Sequence, residues 1–483
     1  MHGILVVVVA LVLLMYLAYR GLSLLILAPA LAILAVVATG ELPILGAYTQ
    51  IFMTATGGFI TSFFPLFLLG AVFGKLIEDS GSAEVLANTI IARLGQGRAI
   101  LAVVLACAVM TYGGVSLFVV AFATYPIADA LFRQANLPRR LLPATIALGA
   151  FTFTMTALPG TPAIQNAIPM PFFGTTPFAA PGLGILTALI MLGGGLAWLQ
   201  YRARSLGEGY GETADATPAA FTPDRELRER SSGEGFDLME LPVLDPPRSL
   251  PSPALAALPL VLVILLNFVF TGVIIPAMDT SYLALPEFGS TDVSQVRGIW
   301  SVTAALVIAT LVLIALHWRR LPKLSGSVDS GANASLLPIF NTASLVGFGA
   351  VIASLSAFAL IRDNVVDIGG DNPLISLAIG VNLLAGMTGS ASGGMSIALQ
   401  TLGHTYLAMA EAAGISPELL HRVTAVATGG LDTLPHNGAV ITLLAICRQT
   451  HGQAYLDIAV AGMIVPLLAL AALIAMGTLF GSF

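Results

Sequence analysis

Hydrophobic residues occur along this chain in long uninterrupted runs, without the polar interruptions of soluble helices or strands. Residues 3–19, 22–39 and 255–273 consist almost entirely of apolar side chains. A helix rises 1.5 Å per residue, so about 20 apolar residues cross the ~30 Å hydrocarbon core of a bilayer. The pattern therefore predicts an all-α polytopic membrane protein.

The apolar runs predict five membrane spans in each half of the chain. In the first half they cover residues 3–19, 22–39, 58–77, 141–166 and 183–201. In the second half they cover residues 254–273, 298–318, 335–361, 421–448 and 455–481. Because five is an odd number, the two halves are expected to have opposite orientations in the membrane.

Two further apolar segments, 99–132 and 373–410, do not read as simple spans. Basic residues flank both ends of the first segment, and "TYGGVS" (111–116) interrupts its middle. In the second segment the interruption is "TGSASGGMS" (388–396). Each segment is therefore predicted to be a re-entrant hairpin. Basic residues favour the cytoplasmic side, so the first hairpin is expected to open to the cytoplasm and the N-terminus to face outwards.

Each predicted hairpin is followed by another interrupted helix, which gives the two halves the same order of features. The interruptions read "LPGTPAIQN" (158–166) and "LPHNGAV" (434–440). Paired interrupted helices with weak internal symmetry are typical of secondary transporters built from inverted repeats. The predicted domains are a first repeat, a hydrophilic cytoplasmic linker and a second repeat, at residues 1–201, 202–252 and 253–483.

Composition agrees with a membrane protein and suggests few other partners. The chain has 483 residues, of which 57% are hydrophobic and 10% charged, whereas soluble domains have about 25% charged residues. The two cysteines, Cys107 and Cys447, both lie in apolar segments, so no disulfide or metal site is predicted. We expect no cofactor and no nucleic-acid partner, and the lipid bilayer as the surroundings.

The four interruptions are the places where we expect function. Non-helical backbone at membrane depth is tolerated only where protein or a water-filled cavity surrounds it. Glycines allow close backbone approach, hydroxyl and amide groups can bind ligands, and helix N-termini attract anions. A small carboxylate held between two hairpin tips and two broken helices is the resulting prediction. The alternatives are that the glycines only allow close helix packing and that serines bond back to their own helices.

Asp432 and His436, which flank Pro435, are the predicted ion-coupling residues. An ionisable group at membrane depth is energetically expensive and suggests function. A proton-coupled carrier needs a carboxylate or imidazole that exchanges its proton near the working pH. Alternatively, Asp432 caps the helix that begins near Pro435. Asn437 and Thr161 could also bind Na⁺ together with backbone carbonyls, so the coupling ion stays open between H⁺ and Na⁺.

Four stretches of the chain resemble the gluconate permease (GntP) family, within the ion-transporter superfamily of elevator carriers. They are "GAVFGKLIEDSGSAEVLANTI" (70–90), "YGGVSLFVVAFATYPIADALF" (112–132), "LPGTPAIQNAIP" (158–169) and "DTLPHNGAVITLL" (432–444). The resemblance implies cation-coupled uptake of a hydroxy-carboxylate across the bacterial inner membrane. It also implies a hairpin-bearing transport domain that moves against a scaffold domain, and a homodimer. "TLPHNGAV" is closer to family members that handle short hydroxy acids.

The same resemblance supports most of the predicted substrate-binding set. These residues are Gly113, Gly114, Ser116, Thr161, Asn166, Ser392, Gly393, Thr433, His436 and Asn437, and Ser390 from the second interruption completes the set.

We therefore predict a secondary active transporter, and not an enzyme, that imports a gluconate-like or short hydroxy-monocarboxylate anion with a proton. Na⁺ coupling is the alternative. An intramembrane protease is disfavoured because "SASGG" lacks the first glycine of a G-x-S-G motif and no HExxH motif occurs. A passive channel would not require paired inverted interruptions.

Overall fold

The computed structural model describes residues 2–20, 22–211, 250–360, 372–435 and 437–483, together with residues 368 and 370. Throughout these described residues the regular structure is helical, with no strand, which confirms the predicted all-α class. The first half contains α1 (His2–Tyr19), α2 (Leu24–Thr39), α3 (Ile44–Asp79), α4 (Ser82–Leu94), α5 (Ala99–Tyr112), α6 (Leu117–Gln134), α7 (Leu142–Ala150), α8 (Phe153–Thr156), α9 (Ile164–Ala167), α10 (Pro169–Phe173) and α11 (Pro181–Ser205).

The second half contains α12 (Pro253–Ala277), α13 (Val293–His317), α14 (Leu324–Ala353), α15 (Pro373–Thr388), α16 (Ala391–Ala412), α17 (Pro417–Leu431), α18 (Gly438–Ile446) and α19 (His451–Phe480). Six helices among the described residues are long and apolar enough to cross a membrane: α3, α11, α12, α13, α14 and α19. A seventh results if α4 and α5, which are bent by 100° relative to each other, are counted as one.

Two of the predicted spans, 141–166 and 421–448, are not continuous helices; the second is divided between α17 and α18. Within residues 141–166, α7 ends at Ala150, and only two single-turn helices follow before α10. The first break lies at Phe151 and Thr152, where the Thr152 backbone, with φ −115° and ψ −114°, leaves the helical conformation. The predicted interruption "LPGTP" (158–162) follows further along, where proline removes a helical hydrogen bond and Gly160 takes a left-handed φ of 80°. The helical order therefore breaks down earlier than the sequence pattern predicts.

The segments predicted as hairpins each form two packed helices, and their interruptions differ in length. Helices α5 and α6 pack against each other around residues 113–116, and α15 packs against α16 around Gly389 and Ser390. The second interruption is much shorter than the predicted 388–396. The Ser390 hydroxyl accepts the N–H of Gly393 at 3.2 Å and caps α16, which begins at the next residue, Ala391. Ser392 and Gly393 consequently lie in the first turn of α16, and not in a loop.

Two glycines bring helices into contact through their backbones. A Cβ atom on Gly394 of α16 would collide with the backbone of Ala385 in α15. A Cβ atom on Gly149 of α7 would collide with the backbone carbonyl of Val104 in α5. These glycines therefore serve packing, as small residues commonly do between membrane helices.

The beginning of the predicted linker is helical and then tied to the first helical pair. Helix α11 continues to Ser205. Beyond it, the Tyr210 hydroxyl donates to Asp129 of α6 at 2.6 Å, and the Tyr210 N–H donates to the Asn136 side chain at 3.0 Å. Residues 212–249, most of the predicted linker, lie outside the described residues.

Candidate functional site

A cavity of 170 Å³ lies where the first helical pair, the segment after α8, α3 and α14 meet. Its polar lining consists of hydroxyl and amide side chains, contributed by Thr111, Ser116, Gln165, Ser335 and Ser392. No charged side chain belongs to the lining within the part of the chain that the structure describes. The cavity therefore combines hydrogen-bonding groups from both halves of the chain in an otherwise apolar enclosure.

The tip of the first helical pair supplies two of the predicted binding residues to this cavity. Gly114 and Ser116 both line it. Gly114 has a left-handed φ of 93°, and a Cβ atom there would lie 2.8 Å from Pro162, so glycine is required. Gly113 instead faces Leu260 of α12, where a Cβ would be 2.5 Å away. For Gly113 the structure thus favours the packing alternative.

Thr161 and Asn166 lie behind the cavity wall and hold it in place. The Thr161 hydroxyl accepts the N–H of Ala163 at 3.3 Å. The fully buried Asn166 amide donates to the carbonyls of Thr161 and Pro177, both at 3.0 Å. Neither residue belongs to the lining, whereas the segment between them, 162–165, does. Their hydrogen bonds therefore shape the site from outside.

The second helical pair reaches the cavity through Ser392. The Ser392 hydroxyl lies 3.3 Å from that of Ser390 and 3.4 Å from that of Thr342 in α14. Ser390 itself caps α16, and Gly393 packs closely against Leu345. Of the three residues predicted here, Ser392 faces the cavity and the other two support its position.

The second broken helix lies beside the tip of the second helical pair rather than in the cavity. Asn437 caps α18 by accepting the N–H of Ala439 at 2.6 Å, and its Nδ2 donates to the carbonyl of Gly389 at 2.8 Å. Thr433 is buried, and its carbonyl accepts the Tyr455 hydroxyl at 3.3 Å. Asp432 directly follows α17 and is partly buried.

His436 lies outside the described residues. Among the residues of 432–437 that the structure describes, none lines the cavity. The cavity therefore unites three of the four predicted interruptions.

A buried cation beside the cavity, Arg422, was not among the predicted site residues. Arg422 is fully buried in α17 and donates through Nη1 to the Thr156 carbonyl at 3.1 Å and to the Asn166 side chain at 3.2 Å. Its Nε and Nη2 both donate to the carbonyl of Ala179, at 3.1 and 2.7 Å. The available signal was an arginine in an apolar stretch, which suggests function by default.

His421, next to Arg422, extends this buried network. Its Nδ1 lies 2.6 Å from the Thr175 hydroxyl and its Nε2 lies 3.2 Å from the Asn166 side-chain oxygen. A neutral imidazole satisfies both contacts, with Thr175 donating to Nδ1 and Nε2 donating to Asn166. Asn166 is thus the meeting point of α17 with the segment that forms the cavity wall.

A metal site was not predicted. No group of three His, Cys, Asp or Glu side chains is placed to bind a metal ion in the ranges that the structure describes. Cys107 and Cys447 are both buried and reduced.

Three comparisons relate the chain to known proteins. The model of the GntP permease family matches residues 2–174. The chain is similar to the uncharacterized transporter YxjC of Bacillus subtilis (strain 168), with 45% identity over 471 residues that cover 94% of each chain. The crystal structure of the Alcanivorax borkumensis YdaH transporter, described as having an unusual topology, matches with a TM-score of 0.52, 18% identity and 89% coverage of each chain. At that identity the YdaH likeness concerns the fold alone.

Proposed function

This chain belongs to the GntP permease family and is a multi-pass membrane transporter, not an enzyme; from that premise we propose that it imports gluconate-like or short hydroxy-monocarboxylate anions by proton symport. The observation that carries this proposal is the cavity lined by Ser116, Gln165 and Ser392. Hydroxyl and amide groups can hydrogen-bond both the hydroxyl and the carboxylate of such a substrate.

The size of the cavity supports a small substrate. Its 170 Å³ is below the roughly 300–1,000 Å³ of sites for drug-sized ligands. Ser116 and Ser392 belong to different halves of the chain. A substrate that contacts both would link the two halves, which is the arrangement expected of a repeat-built carrier.

For the transport cycle we propose two inverted repeats and an elevator-type motion. The order of helical pair, broken helix and long terminal helix in both halves supports this proposal. We place the protein in the bacterial inner membrane with the N-terminus outside, and the family resemblance favours a homodimer.

For ion coupling, Asp432 and His436 are the proposed proton carriers, and Na⁺ is the alternative coupling ion. Support for Asp432 comes from its partly buried place between α17 and α18, beside the segment that binds the tip of the second helical pair. The protonation of a carboxylate at this place can depend on whether the tip of the second helical pair contacts the broken helix.

Uptake into proteoliposomes tests both the substrate class and the coupling ion. Radiolabelled D-gluconate and 3-hydroxybutyrate are offered outside, with an imposed inward proton gradient and no Na⁺. We expect accumulation above the external concentration for at least one of them, and collapse of the gradient by an uncoupler should abolish it. A passive channel would only equilibrate the solute.

The other outcomes are equally informative. Accumulation that requires added Na⁺ would replace H⁺ by Na⁺ as the coupling ion. Absence of accumulation for both solutes under both gradients would refute the proposed substrate class. As a matched pair, Ser116→Ala should lower the apparent affinity, whereas Thr303→Ala, in a separate cavity between α3, α12 and α13, should not.

A further inference from the structure

We propose that Arg422 is the specificity-determining residue of the cavity: its buried positive charge supplies the electrostatic potential that makes the cavity select anions. This inference rests on the proposed anion transport, but it concerns how an uncharged cavity can hold a charged substrate. Arg422 acts through the cavity wall and is not expected to touch the substrate.

The need for such a residue follows from the lining. The polar groups of the cavity are hydroxyls, one amide and backbone groups, and no lysine or arginine lines it among the described residues. An anion transferred from water into such a cavity without a nearby positive charge loses much of its favourable solvation free energy. A positive charge just behind the wall would offset that loss.

Arg422 is suited to this role because its charge is not neutralised by an ion pair. Its hydrogen-bond partners are the carbonyls of Thr156, Pro177 and Ala179 and the amide of Asn166. Among the residues with described side chains, no carboxylate lies within ion-pair distance of it. Carbonyl dipoles stabilise the guanidinium, but they leave its net charge in place.

Lys75, a second cation near the cavity, is different in this respect. Lys75 lies one helical turn beyond Ala71, which lines the cavity. Its Nζ is 3.3 Å from a Glu78 oxygen and 3.1 Å from an Asp79 oxygen. One ammonium and two carboxylates carry a formal net charge of −1 as a group, so Lys75 cannot provide the required positive potential.

The contacts of Arg422 also place it directly behind the wall. Asn166 accepts a hydrogen bond from Arg422 and donates one to the Thr161 carbonyl. Residues 162–165, which lie between these two positions, form part of the lining. In a buried, weakly polarisable region the field of a unit charge is poorly screened. The charge is therefore felt in the cavity without direct contact.

The electrostatic potential in the cavity can be measured with a cysteine reporter on a different wall, formed by α14. Ala334 of α14 lines the cavity, is half-buried and belongs to a helix that Arg422 does not contact through hydrogen bonds. The Ala334→Cys protein is reacted with an anionic (sulfonatoethyl) and a cationic (trimethylammonioethyl) methanethiosulfonate. Both rates are divided by the rates for free 2-mercaptoethanol. The native cysteines are fully buried, and labelling of the parent protein provides the background.

We expect the normalised rate of the anionic reagent to exceed that of the cationic reagent by about tenfold or more, as one poorly screened charge acts with opposite sign on the two reagents. Arg422→Met should bring the ratio close to one, and Arg422→Lys should preserve it. A purely structural role of Arg422 would alter both rates together and leave their ratio unchanged. A second reporter, Gln295→Cys in the separate cavity, should show no change of its ratio on Arg422→Met.

Equal normalised rates in the presence of Arg422 would overturn the proposal. This measurement is made without a substitution at Arg422, so it does not depend on the folding of an Arg422 variant. A high ratio that persists in Arg422→Met would overturn it as well, because the potential would then have another source. Labelling of the reporter cysteine by these reagents does not depend on transport activity. Failure of gluconate and 3-hydroxybutyrate uptake would therefore refute the proposed substrates while a tenfold ratio still supports the positive potential.

Discussion

The bond between Asn437 and Gly389 is the point where the second broken helix contacts the tip of the second helical pair. Asn437 performs two tasks, since its Oδ1 caps α18 and its Nδ2 binds the Gly389 carbonyl. The substitutions Asn437→Ala and Asn437→Ser separate them. Alanine removes both interactions, whereas a serine hydroxyl can still cap the helix but is too short to reach Gly389.

The size of each effect follows from the geometry. Loss of a helix cap costs about 1 kcal/mol, and loss of a buried neutral hydrogen bond about 1 kcal/mol more. Asn437 is 2% exposed, so water does not readily replace the lost partner. We expect Asn437→Ala to destabilise the protein by about 2 kcal/mol and Asn437→Ser by about 1 kcal/mol.

Thermal unfolding in detergent, followed by tryptophan fluorescence, provides the comparison. The midpoint shift of Asn437→Ala should be about twice that of Asn437→Ser. Ser416→Ala removes the cap of α17 at a position remote from the cavity lining. It should shift the midpoint as much as Asn437→Ser and leave uptake unchanged. Native-like stability of Asn437→Ser would refute the reasoning, since the bond to Gly389 would then contribute nothing.

Three further predictions concern coupling, topology and packing. Asp432→Asn should abolish accumulation while leaving counterflow exchange partly intact, and unchanged accumulation would exclude Asp432 as the proton carrier. If the repeats are inverted, Gln134→Cys should react with an impermeant maleimide from the cytoplasm and Glu411→Cys from outside. Both positions are exposed. Reaction of both variants from the same side would contradict inverted repeats. Gly394→Ala should destabilise the protein by about 1–3 kcal/mol or more through backbone overlap, whereas Gly58→Ala, which meets no neighbour, should not lower the unfolding midpoint.

The sequence predicts the interruptions of the helices well where proline and glycine determine them. The break after α17 falls where "LDTLPHNG" predicts it, and the tip of the first helical pair forms around Gly113 and Gly114. Proline lacks a backbone N–H, and glycine adopts a left-handed φ at little cost, wherever in a fold they lie. Local chemistry therefore suffices at these positions.

The sequence is less informative where side chains decide between helix and loop. "TGSASGGMS" contains several residues that favour loops, yet α16 begins at Ala391 because Ser390 caps it and Leu345 packs on Gly393. The cap is local, whereas the contact with Leu345 comes from a distant part of the chain. A local pattern cannot show that second contact, and tertiary packing overrides the propensity of the glycines and serines.

The residues that line the cavity were predictable by region more than by role. Gly114, Ser116 and Ser392 line the cavity, as an interpretation of the interruptions as binding segments requires. Asn166 belongs to the same region but binds Arg422 and the Thr161 carbonyl. Whether an amide faces a cavity or an arginine depends on the side of the segment it occupies. That side is set by contacts with α17, which is more than 200 residues away in sequence.

The backbone contact at Gly394 has a mechanical consequence for the second helical pair. Because α15 and α16 meet through their backbones at Gly394 and Ala385, sliding or tilting of one helix on the other is opposed at that point. We expect the pair to move as a single stiff rod that carries Ser390 and Ser392 with it. Bending has to take place where the rod joins the rest of the protein, at residues 372 and 413–416, and it is there that changes in the speed of movement should be sought.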